Sequence, residues 1–220
     1  MQITTAVRMG LSVSVATGLY GISFGALGIA AGLSVLQTQA LSALMFTGGS
    51  QFAFVGAIAG GGAPALVSAS LLGIRNLIYG AQMNAAFAPR GLTRLLQAHV
   101  TIDESVATSV AQDIAEEQRR GFWSAGLGVF ILWNLFTLLG AVLGNALGDP
   151  KTWGLDGAAV AAFLGLLWPR LHNRDTVAIA VASAFVTLLL VPVLAPGLPL
   201  LAAAAVAAGM SLWLGRRATR

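Results

Sequence analysis

The chain has 220 residues, no cysteine and a formal net charge of +4; 57% of it is hydrophobic and only 9% charged, with a mean hydropathy of +0.82. A soluble domain carries about 25% charged residues, so a water-soluble globular protein is excluded, and what remains is one all-α transmembrane domain over residues 1–220 with room for about seven spans of ~20 residues each. The missing thiols exclude a disulfide framework and thiolate metal sites, and the pI near 10.7 comes from arginines at span ends, which orient a membrane protein and do not point to nucleic acid.

The first span is expected from about Met9 to Leu33. Its apolar run after Arg8 is too long for a cleavable signal peptide and lacks a small-x-small stop. Ser14, Gly18, Gly21, Gly25, Gly28 and Gly32 recur at spacings of 4, 3, 4, 3 and 4. One helical face is therefore lined with small residues, which lets another helix approach closely and gain dispersion contacts. A polar turn, Ser34 to Gln39, leads to a second span from about Ala40 to Ile58. Ten residues into that segment the sequence reads Thr47-Gly48-Gly49-Ser50-Gln51 before apolar residues resume at Phe52. Unmet backbone groups at such depth cost several kcal/mol each unless protein or a water-filled cavity receives them. The break is thus expected to face a central pathway.

After the Gly60-Gly61-Gly62-Ala63-Pro64 turn, the third span runs from about Ala65 to Ala88 and carries Arg75-Asn76 near its middle, then Tyr79, Gln82 and Asn84. A mid-bilayer arginine costs at least about 2.5–3.5 kcal/mol and normally faces protein or water. Pro89 to Gly121 is the one long polar stretch, expected at the cytoplasmic face. Thr101-Ile102-Asp103-Glu104 has the form of a capping box, and Val106, Val110 and Ile114 extend an apolar stripe, so an amphipathic helix against the membrane or the bundle is expected there. Asp113, Glu116 and Glu117 read as its solvated face, while Asp103 and Glu104 are candidates for a coupling role.

The fourth span covers about Phe122 to Leu147, with Gly140 and Gly144 again positioned for close packing. A short fifth runs from Leu155-Asp156 to Leu167, a sixth from about Thr176 to Val191, and a seventh from about Leu198 to Leu214. Nine arginines, among them Arg90, Arg94, Arg119, Arg120 and Arg216, then fall on one side, against Arg8 and Lys151 on the other. The positive-inside rule places the carboxyl terminus in the cytoplasm and, if the first segment spans and is not a re-entrant hairpin, the amino terminus outside. Gly32-Leu33-Ser34 before the interrupted second span and Gly154-Leu155-Asp156 before the short fifth suggest a 3+3 inverted repeat with one extra C-terminal helix. Paired interrupted helices of this kind point to a midplane binding site.

No phosphate loop, GxSxG elbow or HExxH motif is present, and His99 and His172 lie far apart in sequence, so no enzyme, metal site or cofactor is expected. What remains is a binding constellation. The broken helix at Gly48 and Gly49 offers amides and a positive dipole end, Ser50 and Gln51 neutral hydrogen bonds, and Arg75 a bidentate partner for a carboxylate. Asn76 and Tyr79 follow Arg75, and Phe46, Phe52, Phe54 and Phe163 are available for an apolar pocket. Asp156 is either a helix cap or a site for an ammonium group or a proton. Those parts fit a carboxylate-bearing, modestly apolar solute such as an amino acid.

Gly21-Ile22-Ser23-Phe24-Gly25, Thr47-Gly48-Gly49-Ser50-Gln51-Phe52, Arg75-Asn76-Leu77-Ile78-Tyr79-Gly80, Asp103-Glu104-Ser105 and Gly154-Leu155-Asp156 together resemble the AzlC/YgaZ family, over about Arg8 to Arg174. The resemblance implies the large subunit of a bacterial exporter carrying leucine, isoleucine, valine or methionine across the inner membrane, with a small four-span AzlD-like partner. It also implies a departure: where relatives read Asn-x-Arg-His in the third span, Gly73 and Asn76 flank Arg75 here, so the family's amide and imidazole at those places are missing. The alternatives are a channel-like pore for a small neutral solute and a membrane scaffold without a path of its own.

Overall fold

A computed structural model describes residues 4–58, 62–147, 164, 167–168, 171–194 and 198–218. Among the described residues the chain is all helix, with nine helices and no strand. Two of them, α1 (Thr5–Ala30) and α7 (Ala115–Leu147), are clearly long and apolar enough to cross a membrane. At 1.5 Å per residue α1 measures about 39 Å, against a hydrocarbon core of about 30 Å. It is one continuous helix, not a hairpin, yet the expected placing of the amino terminus opposite the arginine-rich segment fails. Gly10 lies against Ser124 and Gly25 against Thr137, so α1 and α7 run parallel and Thr5 shares an end with Arg119 and Arg120.

The α1–α7 pair is the spine of the molecule, and its glycines explain why. A Cβ on Gly18 would stand 2.6 Å from the Leu132 Cβ, and one on Gly21 would stand 2.6 Å from the Trp133 carbonyl oxygen. On Gly25 it would strike the Thr137 carbonyl, and on Gly140 the Ile22 carbonyl; on Gly144 it would reach the Ala26 Cα at 3.2 Å. The two backbones are in contact, the arrangement small residues permit in lipid. Gly28 faces Thr38 of α2 (Val35–Leu44) at 2.6 Å. Gly32 does something else. Its φ is +90°, nothing lies near its Cβ position, Leu33 N–H donates to the Gly28 carbonyl and Gly32 N–H to that of Ile29. That is a left-handed helix stop. Gly32 continues the spacing of the packing stripe, but it stands past the last turn, where φ decides the residue.

α2 starts at Val35, earlier than the expected second span, because Ser34 and Gln37 form a reciprocal cap: Gln37 N–H donates to Ser34 Oγ at 3.2 Å and Ser34 N–H to Gln37 Oε1 at 2.8 Å. Helix geometry is lost over residues 45–47 and resumes as α3 (Gly48–Ala57). α4 (Gly62–Phe87) packs beside α3.

The polar stretch departs from expectation. It holds two short helices, α5 (Gly91–His99) and α6 (Asp103–Val110), and its last residues belong to α7. Thr101 does not cap α6; its hydroxyl donates to the Gln97 carbonyl at 2.6 Å and so closes α5. The reverse cap is Ser105, whose Oγ accepts from Ile102 N–H at 3.0 Å. Of the apolar stripe only Val106 is buried; α6 ends at Val110, and both Val110 and Ile114 are exposed. Val100 and Ile102 turn inward instead, which ties the stretch into the bundle.

α8 (Arg174–Leu190) and α9 (Leu198–Ala218) pack against each other, α9 touches α4, and α8 buries no residue. The expected fifth span, with Asp156 and Phe163, lies outside the described residues, so the seven-span count and the inverted repeat are left to the sequence.

Burial is inverted relative to a soluble protein. Ser14, Thr38, Ser42, Gln51 and Thr137 are fully buried, while Leu19, Leu77, Ile131, Leu135, Val181 and Leu188 lie on the outside. So much outward apolar surface on a soluble monomer would exceed the usual few hundred Å² patch. In a bilayer it is the solvated face.

Candidate functional site

Where α2 breaks off, five segments meet around a cavity of about 70 Å³. Thr17 and Tyr20 reach it from α1, Phe46 to Gly49 and Phe52 from the break and α3, and Arg75 and Asn76 from α4. Ile102, Asp103 and Glu104 close one side, and Val129 and Trp133 of α7 form the floor. Phe52 and Trp133 pack with Phe24 behind them as one aromatic group, Phe24 stacked on Trp133 and both edge-on to Phe52, with ring centroids 5.7–6.2 Å apart.

The break presents a bare helix end. Thr47 precedes α3 in extended geometry (φ −157°, ψ 101°) without a side-chain cap, and the first intrahelical bond is Gln51 N–H to the Thr47 carbonyl at 3.0 Å. The amides ahead of it have no intrahelical acceptor and carry the positive end of the helix dipole. Gly48 and Gly49 keep that end open. A Cβ on Gly49 would lie 2.9 Å from the Arg75 guanidinium, and one on Gly48 3.4 Å from the Trp133 ring.

Arg75 therefore rests its guanidinium against a positive helix end, an arrangement that repels unless an anion joins it. Asp103 is that anion here, 2.9 Å from Arg75, with the two side chains 31% and 26% exposed. Glu104 receives a hydrogen bond from the Thr17 hydroxyl at 3.4 Å. Burial pushes the Glu104 carboxyl above the ordinary range and the Asp103 charge adds to this, against the backbone hydrogen bond, Arg75 and the Thr17 hydroxyl. α6, which bears it, lies outside the span-length helices. Asp103 and Glu104 are not joined by a third His, Asp or Glu in a metal-ligand group among the described residues.

Four buried polar atoms on the residues lining this cavity find no hydrogen-bond partner among the described residues: Arg75 Nε, Asn76 Oδ1, Asp103 Oδ1 and Trp133 Nε1. Leaving a buried polar atom unmet costs about 1–3 kcal/mol. Such atoms gathered around one cavity are what a polar ligand's partners look like.

Of the sequence candidates, Gly48, Gly49, Arg75, Asn76, Asp103 and Glu104 come together at the cavity. Ser50 and Gln51 do not line it; they are 2% and 0% exposed and sealed in packing. The Gln51 amide donates to the carbonyls of Leu41 and Ser42 at 3.2 Å each, so it closes the end of α2 across the break. Ser50 meets the Thr47 hydroxyl at 3.4 Å. Tyr79 packs instead beside the Met83–Phe87–Val100–Val106–Phe122 cluster. Phe54 lies against the apolar outer groove along α2, and Asp156 and Phe163 lie outside the described residues. Sequence reasoning missed Thr17, Tyr20 and Trp133. Thr17 and Tyr20, three apart on one face of a span otherwise small and apolar, carried a signal; Trp133 had none to distinguish it from a core aromatic.

No curated protein and no solved structure matches the chain. The family model described as "AzlC protein" matches residues 12–147, more than half of the sequence and the whole of the part that builds the cavity. The chain belongs to the AzlC family.

Proposed function

We propose that this protein is the large subunit of a secondary exporter of branched-chain or similar apolar amino acids (leucine, isoleucine, valine, methionine) in the bacterial inner membrane, working with a small four-span AzlD-like subunit and with its carboxyl terminus in the cytoplasm. One observation carries the reading: a bare helix end, a guanidinium and two carboxylates converge on one cavity inside an apolar bundle. Membership of the AzlC family, transporter subunits and not enzymes, supports it.

The parts divide a zwitterion between them. The α3 amides and Arg75 take the carboxylate, a charge-assisted and bidentate contact. Asp103, released from Arg75, takes the ammonium together with Glu104. Phe46, Phe52, Ile102, Val129 and Trp133 receive the aliphatic side chain. Asp103 thus occupies the anion position while the site is empty of solute and changes partner when solute arrives. The cavity of about 70 Å³ is well below the ~300–1,000 Å³ of small-molecule sites, so α4 and α6 must part to admit an amino acid. Glu104, held toward its neutral form, is the group we assign to coupling with a proton, and Asp156 a second such carboxylate from the other half.

Replacing Arg75→Ala tests this in proteoliposomes. Saturable leucine counterflow should fall at least about a hundredfold, as expected when a charged hydrogen-bonding partner worth about 3 kcal/mol is removed, with the protein still inserted and bound to its partner. Wild-type counterflow in that variant removes Arg75 from the site, and linear, unsaturable flux in the unaltered protein favours a pore.

A further inference from the structure

A second, larger space lies on the far side of Asn76. Between α4 and α5 runs a groove of about 610 Å³, in the size range of an amino-acid site. On α4 it is lined by Gly73, Asn76, Gly80 and Asn84, spaced 3, 4 and 4, together with the apolar Leu77 and Ala81, while Ile74 and Ile78 on the flanking faces of the same helix are exposed and apolar. Arg94 and Gln97 of α5 face that stripe.

Two polar residues make the groove suited to a polar solute. Gln97, 4% exposed, lines the groove from α5. Asn76 lines both the groove and the inner cavity, and its Oδ1 is buried without a partner among the described residues. The wall between the two spaces is thin. Thr101 belongs to the groove while its chain neighbours Ile102 and Asp103 belong to the cavity; Gly73 and Asn76 stand opposite on α4. The Arg75–Asp103 pair at 2.9 Å bridges α4 and α6 across that same wall.

We infer that the α4–α5 groove is the vestibule through which a carboxylate-bearing zwitterion enters or leaves the inner cavity, with the Arg75–Asp103 pair and Asn76 as the closed partition between them. The inference rests on the proposed transport of amino acids. Arg94 gives the outer space a cation for the carboxylate, Asn84 and Gln97 give it neutral hydrogen bonds, and Gly80 keeps the passage clear, since nothing lies within 4 Å of its Cβ position. The groove lies at the Arg90–Arg94 end, which the arginine distribution assigns to the cytoplasm. An exporter loading from the cytoplasm needs its vestibule on that side.

The chain has no cysteine, so single thiols can be placed without background. Gly80 and Ile78 stand two residues apart on one helix and so on opposite faces, one facing the groove and one the outside, and each is replaced by Cys in turn. With the whole protein in proteoliposomes, a charged methanethiosulfonate should modify Gly80→Cys at least about tenfold faster than Ile78→Cys, because only a hydrated thiol ionises readily. Saturating leucine should slow the first reaction several-fold, and attaching a bulky reagent to the folded Gly80→Cys protein should stop counterflow. Equal, slow modification of both thiols overturns the vestibule, as does undiminished counterflow after full modification of Gly80→Cys. If the unaltered protein carries no leucine, the proposed function fails, and the comparison of the two thiols still decides whether the groove is wet.

Discussion

The α1–α7 seam and the α2–α3 break are both rich in glycine, and glycine does opposite things in them. At the seam, the space a Cβ would need is filled by backbone: the Thr137 carbonyl at Gly25, the Ile22 carbonyl at Gly140. At the break, the obstacles are the end of a flexible arginine and the edge of an indole. In the seam the missing side chain lets two helices touch; at the break it leaves amides open to a solute. Glycine by itself does not tell the two uses apart, and the neighbouring atom does.

Substitution separates them further. The largest effect is expected at the seam: Gly140→Leu drives a side chain into the α1 backbone, which cannot yield as a side chain can. Overpacking costs about 1–3 kcal/mol even where neighbours relax, so this variant should exceed that and lose monodisperse protein in detergent. A well-folded Gly140→Leu would break the comparison. Next comes Gly49→Leu, which should abolish leucine efflux while insertion persists, because only the guanidinium has to move; undiminished efflux would remove the break from the path. Gly49→Ala is a finer version: its Cβ asks only the guanidinium, 2.9 Å away, to shift, so thermal stability should change little while the apparent affinity for leucine falls.

The smallest effect concerns pH. The Glu104 carboxyl lies above its ordinary value of 4.5, burial being the main cause. The folded state therefore holds this proton more tightly than the unfolded chain. The resulting stability is complete below about pH 4.5 and is lost as pH rises through the raised value. Glu104→Gln should flatten that part of the curve of Tm against pH in detergent. An unchanged slope would show that another group titrates there.

Much of the fold was legible because lipid constrains the sequence so strongly. The run of small residues on α1 announced close packing, and Thr47 to Gln51 announced a break at depth, since polar backbone there demands a reason. Arg75 stood out on the same grounds. Its partner was less legible. Asp103 and Glu104 sit in a polar stretch whose composition suits a solvated surface, and only the turn at residues 100–102, with Val100 and Ile102 directed inward, brings them to Arg75. The role of Gln51 was hidden too. An amide beside a helix break reads as a solute ligand, whereas here it bonds the carbonyls at the end of α2. Spacing cannot rank those two acceptors; a loop conformation does.

That Gln51 amide has a mechanical consequence. By tying the last carbonyls of α2 to the first turn of α3, it makes the break a stiff elbow and not a hinge, because straightening or folding it would strand the Ser42 carbonyl in a medium without water. The helix end aimed at the cavity is then a fixed anvil. Whatever opens and shuts the site has to be carried by the walls that face it, α4 and α6, swinging past an element that stays still.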